Sequence, residues 1–234
     1  MLNINVHKNI LINILREIYS DAVLRNTLGF KGGTAAMLFY KLPRFSVDLD
    51  FDLLNLQKKD EVFARLPEIL SKYGILYNAS DKKNTLFFLL SYKKGERLVK
   101  VEISKRKFSS NYTPLNFLGI SMLVMGREDM LASKLSALLT RKKLAMRDFF
   151  DLWFFLHNNW QINEVALEEK SGLALKDALS LAENKVKRVK KTELLSGLGD
   201  LLDSKQKDWV RDKLKDDLLF LLKLYASNLR NVKK

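Results

Sequence analysis

The sequence contains no cysteine, and only three prolines and two histidines occur among its 234 residues. Without cysteine the chain can form no disulfide, no thiolate metal site and no cysteine nucleophile, which fits a reducing cytoplasm. No apolar run reaches the roughly 20 residues that span a bilayer. The N-terminal residues are too polar and too regularly helical for a secretory signal. We therefore expect a cytoplasmic protein with no membrane partner.

The charge balance is strongly basic, with 41 Lys and Arg residues against 27 Asp and Glu residues and a formal net charge of +14. A surplus of this size favours polyanionic partners, either nucleic acid or an anionic membrane surface. An ordinary basic surface that faces solvent would give the same balance. The two histidines, His7 and His157, are isolated in the sequence, and they are interpreted as ordinary helix residues.

The periodicity of the chain changes near residue 120. Helical spacing covers residues 4–26 and 62–73, and apolar alternation or short β-type runs predict strands at 46–53, 75–79, 84–92, 97–104 and 120–125. The pattern after these runs is helical to about residue 227. We predict an α+β chain, with a mixed-sheet α/β domain at 1–122 and a helical bundle at 123–234.

Three acidic residues alternate with apolar ones in the predicted strand at 46–53. Because strand side chains alternate between faces, Asp48, Asp50 and Asp52 share one face. Neighbouring carboxylates repel one another and raise each other's pKa unless a cation neutralises them. Mg²⁺ or Mn²⁺ would do so, because such ions take oxygen ligands from carboxylates and substrate phosphates. A polar outer strand face would give the same pattern without a metal.

A Gly-Gly pair precedes this strand, directly before a predicted short helix at 34–41. Gly32 and Gly33 would let the backbone approach a phosphate group, and Thr34 could cap the helix or donate a hydroxyl. A simple helix-start turn is the alternative. The acidic strand follows this pair 15 residues later. The combination predicts that the glycine turn holds a triphosphate and that the acidic strand holds a metal ion.

A third carboxylate could come from the alternating run at 99–104. Glu102 and Lys100 share the polar face of that run. If this strand lies beside the acidic one, Glu102 would complete a three-acid, two-metal site for in-line displacement at phosphorus. An exposed Lys/Glu face is an equal alternative.

These segments resemble the polymerase-β-like nucleotidyltransferases, in which Gly-Gly or Gly-Ser is followed by an Asp-x-Asp strand. More narrowly, they are similar to the AbiEii/AbiGii toxin family, a group that includes the MenT toxins. The resemblance is carried by Gly32-Gly33-Thr34-Ala35, Arg44-x-Ser46-x-Asp48-Leu49-Asp50-Phe51, Lys134-Leu135-x-Ala137-Leu138, Arg141 and Arg147-Asp148-x-x-Asp151-Leu152. It covers about residues 28–156.

Carried onto matching positions, the resemblance implies metal ligands at Asp48 and Asp50 and a triphosphate contact from Lys134. It implies that Asp148 is a second acidic catalytic residue. The other motif positions are implied around the nucleotide: Gly32, Gly33, Thr34, Arg44, Ser46, Arg147 and Asp151. The spacing from Gly33 to Asp48 is longer than is common in the superfamily, and the third acid is Glu102 where Asp is more usual.

The basic residues form three runs. Lys105-Arg106-Lys107 follows the third acidic strand, and Arg141-Lys142-Lys143 lies between the motif helices. We predict that both runs bind RNA, although a solvated face would give the same pattern. The third run, 185–191, is interpreted as a solvated face distant from the site.

The leading hypothesis is the toxin of a toxin–antitoxin or phage-defence system, which transfers a nucleoside monophosphate from an NTP to RNA, at a tRNA 3′ end. A cognate antitoxin would be a further partner. A protein or small-molecule acceptor is an alternative within the same chemistry. A nucleotide- or nucleic-acid-binding module without turnover is the alternative from another class.

Overall fold

The computed structural model describes residues 3–232 and divides into two compact units. The first comprises the described residues up to Lys107 together with Asn111–Met125, and the second comprises Phe108–Ser110 together with the chain from Gly126 onward. The units part after Met125, whereas the sequence places the boundary after residue 122.

The first unit is built on a seven-stranded mixed sheet, in the order β3-β4-β5-β2-β1-β7-β6. Two neighbouring pairs, β2 with β5 and β1 with β7, are parallel, and the other neighbours are antiparallel. This confirms the mixed sheet that the sequence predicts. The strands are β1 (Leu28–Lys31), β2 (Leu49–Leu53), β3 (Ile75–Lys82), β4 (Thr85–Ser91), β5 (Val99–Ser104), β6 (Tyr112–Phe117) and β7 (Ile120–Met125).

Four α-helices of the described chain belong to this unit: α1 (Ile4–Ser20), α2 (Leu24–Thr27), α3 (Gly32–Phe39) and α4 (Lys59–Leu70). The Asn3 side chain caps α1 by accepting from Val6 N at 3.2 Å. The helix expected over 4–26 is interrupted at Asp21, whose carboxylate accepts from Val23 N and Leu24 N at 2.8 and 2.9 Å. These two bonds offer the backbone an alternative to continuing the helix.

The core of the first unit lies on one face of the sheet. Ile14 and Ile18 of α1 are fully buried, as are Phe30 of β1 and Phe51 of β2, whose rings lie 5.2 Å apart. Since strand side chains alternate, burial of Phe51 turns Asp50 and Asp52 to the opposite face. The hydrophobic core therefore fixes the direction in which the acidic side chains point.

The second unit is helical, as predicted. Its α-helices within the described chain are α5 (Arg127–Thr140), α6 (Met146–His157), α7 (Glu164–Ser171), α8 (Leu175–Arg188), α9 (Ser204–Trp209) and α10 (Lys215–Val232). Leu135, Phe149 and Phe155 are fully buried, and Trp160 stacks on Phe155 at 4.1 Å. None of the helices in residues 3–232 combines the length and apolar character needed to cross a membrane.

Candidate active site

The Gly-Gly pair begins α3 and lies against the acidic strand. Gly32 has φ +79°, a conformation that glycine adopts without strain. A Cβ atom placed on Gly32 would lie 2.5 Å from Asp50 Oδ2, so only glycine leaves space for this carboxylate. The structure thus brings together two predicted residues that are 18 positions apart.

The second glycine makes room for a basic and a hydroxyl side chain. A Cβ atom on Gly33 would lie 2.7 Å from both Arg44 Nη2 and Ser46 Oγ. Arg44 is almost fully buried, and its Nη1 donates to Phe45 O at 2.9 Å. Arg44 and Ser46, which the resemblance places at the nucleotide, therefore lie at the start of α3.

The residues before β2 are anchored from two sides. The Thr34 hydroxyl donates to Asp48 O, so it positions the backbone of that aspartate. His7 is fully buried in α1, and its Nε2 lies 2.9 Å from Val47 O while its Nδ1 lies 3.1 Å from Tyr92 Oη. Since a carbonyl only accepts, Nε2 carries the proton, and Nδ1 of the neutral ring accepts from Tyr92.

Acidification is expected to destabilise the first unit through His7. Burial, opposed by the hydrogen bond to Val47, holds the pKa of His7 below its usual value of 6.5. The unfolded state therefore binds a proton on His7 more strongly than the folded state does. The contribution of His7 to the free energy of unfolding is fully present above about pH 6.5 and is lost as the pH falls through the pKa of the folded state. Urea midpoints at pH 7.5 and 5.5 measure this loss.

The matched control for this prediction is the other histidine. We expect His7→Gln to flatten the difference between the two midpoints and His157→Gln, at an exposed position, to leave it unchanged. The same pH dependence in wild type and His7→Gln would refute the role of His7.

Asp50 is an acid whose pKa is raised by its surroundings. Burial, and after it the charge of Asp48, raises the pKa of the Asp50 carboxyl. Lys100 and Lys31 oppose this effect but do not cancel it. An ionised Asp50 therefore needs more positive charge than the surrounding side chains supply.

Lys100 of β5 contacts two of the predicted metal ligands. Its Nζ lies 3.3 Å from Asp48 Oδ2 and 3.3 Å from Glu102 Oε2. Burial lowers the pKa of Lys100, but the charges of Asp48 and Glu102 outweigh burial and raise it. Parallel pairing places Asp50 directly beside Glu102, as the predicted three-acid cluster requires.

The donor set fits a hard divalent cation, since it consists of carboxylate oxygens with a deficit of positive charge at Asp50. Asp48 and Asp50 are the two residues that would hold such an ion. In the part of the chain that the structure describes, no group of three Asp, Glu or His side chains is placed to bind a metal. The assignment of Glu102 as a third ligand stays a prediction.

Asp52 shares the polar face of β2 but has a different environment. Its Oδ1 lies 2.5 Å from Lys31 Nζ, and its Oδ2 accepts from the Tyr112 hydroxyl. A Cβ atom on Gly29 would overlap the Tyr112 ring, so glycine at this position lets the ring reach Asp52. This aspartate is neutralised by protein side chains.

A second cluster of predicted residues forms within the helical unit. Lys134 Nζ of α5 lies 3.1 Å from Asp148 Oδ1 and 2.7 Å from Asp151 Oδ2 of α6. Both carboxylates are buried, whereas 15% of the Lys134 side chain is exposed. Arg141 Nη1 lies 2.7 Å from Asp148 Oδ2, although not along a hydrogen-bonding direction. Arg147, which lies on α6 next to Asp148, is half-buried.

The residues of the first two basic runs differ in their solvent exposure and in their contacts. Lys105 pairs with Asp81, whereas Arg106 and Lys107 are exposed. Lys142 and Lys143 are exposed in the loop between α5 and α6. Arg141 is the member of that run that contacts Asp148.

Part of the third run supports the helical fold. Lys185 Nζ donates to Leu138 O and Leu139 O at 3.2 and 2.6 Å, which satisfies carbonyls at the end of α5. Lys187 pairs with Glu183 at 2.6 Å, whereas Arg188 and Lys190 are exposed.

Sequence reasoning gave no role in the first unit's site to four side chains that shape it: Lys31, Lys100, Tyr112 and His7. Lys100 was detectable, because the same alternation that turns Glu102 to the polar face also turns Lys100 there. The other three depend on contacts between distant segments and leave no local pattern.

A Gly-Gly turn against an Asp-x-Asp strand, on a mixed sheet followed by helices, defines the class of the nucleotidyltransferase-like proteins. A crystal structure of a candidate nucleotidyltransferase from H. pylori aligns with a TM-score of 0.63 and 22% identity, covering 97% of this chain and 96% of that one. JHP933 from Helicobacter pylori aligns with a TM-score of 0.57 and 20% identity over 100% of both chains. At these identities the two likenesses establish the fold.

Family membership follows from the sequence profile of the nucleotidyl transferase AbiEii toxins of type IV toxin–antitoxin systems, which matches residues 13–219. The chain belongs to this AbiEii family, and the resemblance carried by its motifs is confirmed. No curated protein shows a significant sequence match.

Proposed function

We propose that this AbiEii-family enzyme transfers a nucleoside monophosphate from an NTP to RNA, at a tRNA 3′ end, with Mg²⁺ or Mn²⁺ as cofactor. The acceptor hydroxyl oxygen forms a bond to the α-phosphorus, the bond to pyrophosphate breaks, and the hydroxyl proton is released. The observation that carries the proposal is the packing of the Gly32-Gly33 turn against Asp50, Arg44 and Ser46.

The start of α3 is suited to the triphosphate. Its first backbone N–H groups lack partners within the helix and point toward an incoming anion. Gly32 and Gly33 keep this end free of side chains, and the Arg44 guanidinium lies against Gly33. Arg44 is well matched to phosphate oxygens, because a guanidinium can donate two parallel hydrogen bonds.

We assign Asp48 and Asp50 as the residues that hold the divalent cation. When bound, such an ion neutralises phosphate charge and stabilises the transition state of the displacement. Thr34 and His7 support this role, since they fix the backbone that carries Asp48.

In the helical unit we assign Lys134 as a triphosphate contact. Asp148 and Asp151 hold its ammonium in place, and 15% of the Lys134 side chain is exposed. Asp148 is assigned as the second acidic functional residue. The family's place in toxin–antitoxin systems supports a cognate antitoxin as a partner.

RNA is the acceptor class that the charge favours. The net charge of +14 causes self-repulsion that a polyanionic partner relieves. Arg106, Lys107, Lys142 and Lys143 are exposed and can meet a phosphate backbone without breaking a buried contact. The runs at 105–107 and 141–143 are therefore the segments that we propose contact the RNA.

Binding of tRNA is expected to weaken steeply with salt, because the protein displaces counterions from the phosphates. Replacing Lys142 and Lys143 by Ala should reduce the slope of log K against log salt by roughly 0.7 to 0.9 for each phosphate that the variant no longer neutralises. NTP affinity should change little. Fluorescence anisotropy with labelled tRNA between about 50 and 200 mM salt measures the slope.

The control for this experiment is the double variant Arg188→Ala/Lys190→Ala, which removes the same charge at two other exposed positions. We expect its slope to stay close to that of the wild type. Binding that is indifferent to salt, or equal slopes in the two double variants, would contradict the proposed RNA-contacting role of Lys142 and Lys143.

A further inference from the structure

Lys100 is a charged residue inside the acidic site to which neither the family resemblance nor the proposed function assigns a role. Its Nζ contacts Asp48 and Glu102 at equal distances of 3.3 Å, and about a quarter of its side chain is exposed. The register of β2 with β5, which pairs Leu49 with Val101, brings Lys100 alongside Asp48 when continued by one residue. Its position is therefore set by the sheet.

The charges of the site balance with a single divalent cation. Asp48, Asp50 and Glu102 contribute three negative charges, and Lys100 contributes one positive charge. Lys31 also acts on Asp50, but its charge is matched by that of Asp52 at 2.5 Å, so the pair adds no net charge to the site. The two remaining negative charges equal the charge of one Mg²⁺ or Mn²⁺ ion, and a second ion would leave the site positive before any nucleotide binds.

The contacts of Glu102 agree with this balance. Its carboxylate contacts the Lys100 ammonium, and 36% of its side chain is exposed. Within residues 3–232 no three acidic or histidine side chains are arranged to bind a metal. The Lys100 ammonium contacts both Asp48 and Glu102, as a cation shared by these two carboxylates would.

We propose that Lys100 is a built-in counter-cation of the site, so that Asp48 and Asp50 hold one divalent cation and Glu102 anchors Lys100. This inference rests on the proposed function, since it concerns the same metal. Lys100 is thus a positioning residue that takes the place of a second metal ion.

The test is the number of Mn²⁺ ions bound per chain, measured from the free-ion EPR signal during titration with Mn²⁺ alone. We expect one ion in the wild type and two in Lys100→Met, because that variant leaves three carboxylates uncompensated. The first ion should bind roughly tenfold more tightly in Lys100→Met, since a nearby positive charge is removed. Lys100→Arg preserves the charge and should bind one ion.

A second variant separates the two roles of Glu102. If Glu102 anchors Lys100, Glu102→Gln should still bind one Mn²⁺ ion, and if Glu102 is a ligand, this ion should be lost. Thermal unfolding of each variant establishes that the counted chains are folded. Loss of the ion in Glu102→Gln would overturn the inference.

The outcomes also distinguish this inference from the proposed function. Two ions in the wild type, or one in Lys100→Met, would overturn the inference and leave nucleotidyl transfer intact. No ion in the wild type, together with no transfer of a nucleotide, would overturn the proposed function itself.

Discussion

Replacing Asp50 by Asn is expected to lower the rate of nucleotidyl transfer by at least about 1,000-fold, which corresponds to roughly 4 kcal/mol of transition-state stabilisation. The amide keeps the size of the side chain but removes a charged oxygen ligand. Asp48→Asn should have an effect of the same order. Single-turnover rates with saturating NTP and Mg²⁺ measure the loss.

The fold should survive the Asp50→Asn substitution. Since burial and Asp48 raise the pKa of this carboxyl, its ionised form opposes folding at pH 7, and Asn should hold or increase the stability. Because the pKa of Asp50 is raised in the folded state, the destabilisation of the wild type at pH 7 diminishes as the pH falls through that pKa and the carboxyl becomes protonated. The difference in urea midpoint between wild type and variant should therefore shrink toward acid pH.

Asp52→Asn is the matched control from the same strand face. Asp52 is neutralised by Lys31 and accepts from Tyr112, so this variant should lose stability and keep transfer within about tenfold of the wild type. Wild-type activity in the double variant Asp48→Asn/Asp50→Asn would end the argument for a metal site at these residues.

The second large effect is expected at Lys134. Lys134→Ala should weaken NTP binding by roughly 10- to 100-fold, because it removes a charge-assisted hydrogen bond to phosphate. It should also destabilise the helical unit by about 3 to 5 kcal/mol, because Asp148 and Asp151 are left buried without their ammonium. Calorimetric titration with NTP and Mg²⁺, and urea unfolding, measure the two effects.

A compensated variant separates these two effects. The double variant Lys134→Met/Asp151→Asn removes one buried positive charge and one buried negative charge. It should therefore be considerably more stable than Lys134→Ala. If Lys134 contacts the triphosphate, NTP binding should stay weak in this folded double variant. Recovery of wild-type NTP affinity would show that Lys134 acts only through the fold.

The sequence predicts much of this site because its signals are local. Period-2 alternation turns Asp48 and Asp50 away from the apolar Leu49 and Phe51, and burial of these two residues in the core accounts for that direction. The glycine pair is adjacent in sequence to the helix that it begins. Both patterns are complete within about 20 residues.

The parts that sequence reasoning missed depend on long-range pairing. Strand β1 is only four residues long and contains Gly29, and β6 contains Pro114, so neither shows a strong strand pattern. The ion pair between Lys31 and Asp52 exists because β1 and β2 are neighbours. The boundary of β2 at Leu49 is likewise set from outside, by the Thr34 and His7 contacts to the residues before it.

The most direct test of the central claim follows the α-phosphate and the γ-phosphate of the NTP separately. The protein is incubated with Mg²⁺, total RNA, lysate protein and each of the four NTPs, labelled with ³²P at either the α- or the γ-phosphate. The account predicts that α-label from at least one NTP enters tRNA while the matching γ-label appears in pyrophosphate, with neither result in Asp48→Asn/Asp50→Asn. Transfer of the α-label to protein or to a small-molecule acceptor instead of RNA would contradict the RNA acceptor, and no transfer of α-label to any acceptor would contradict nucleotidyl transfer.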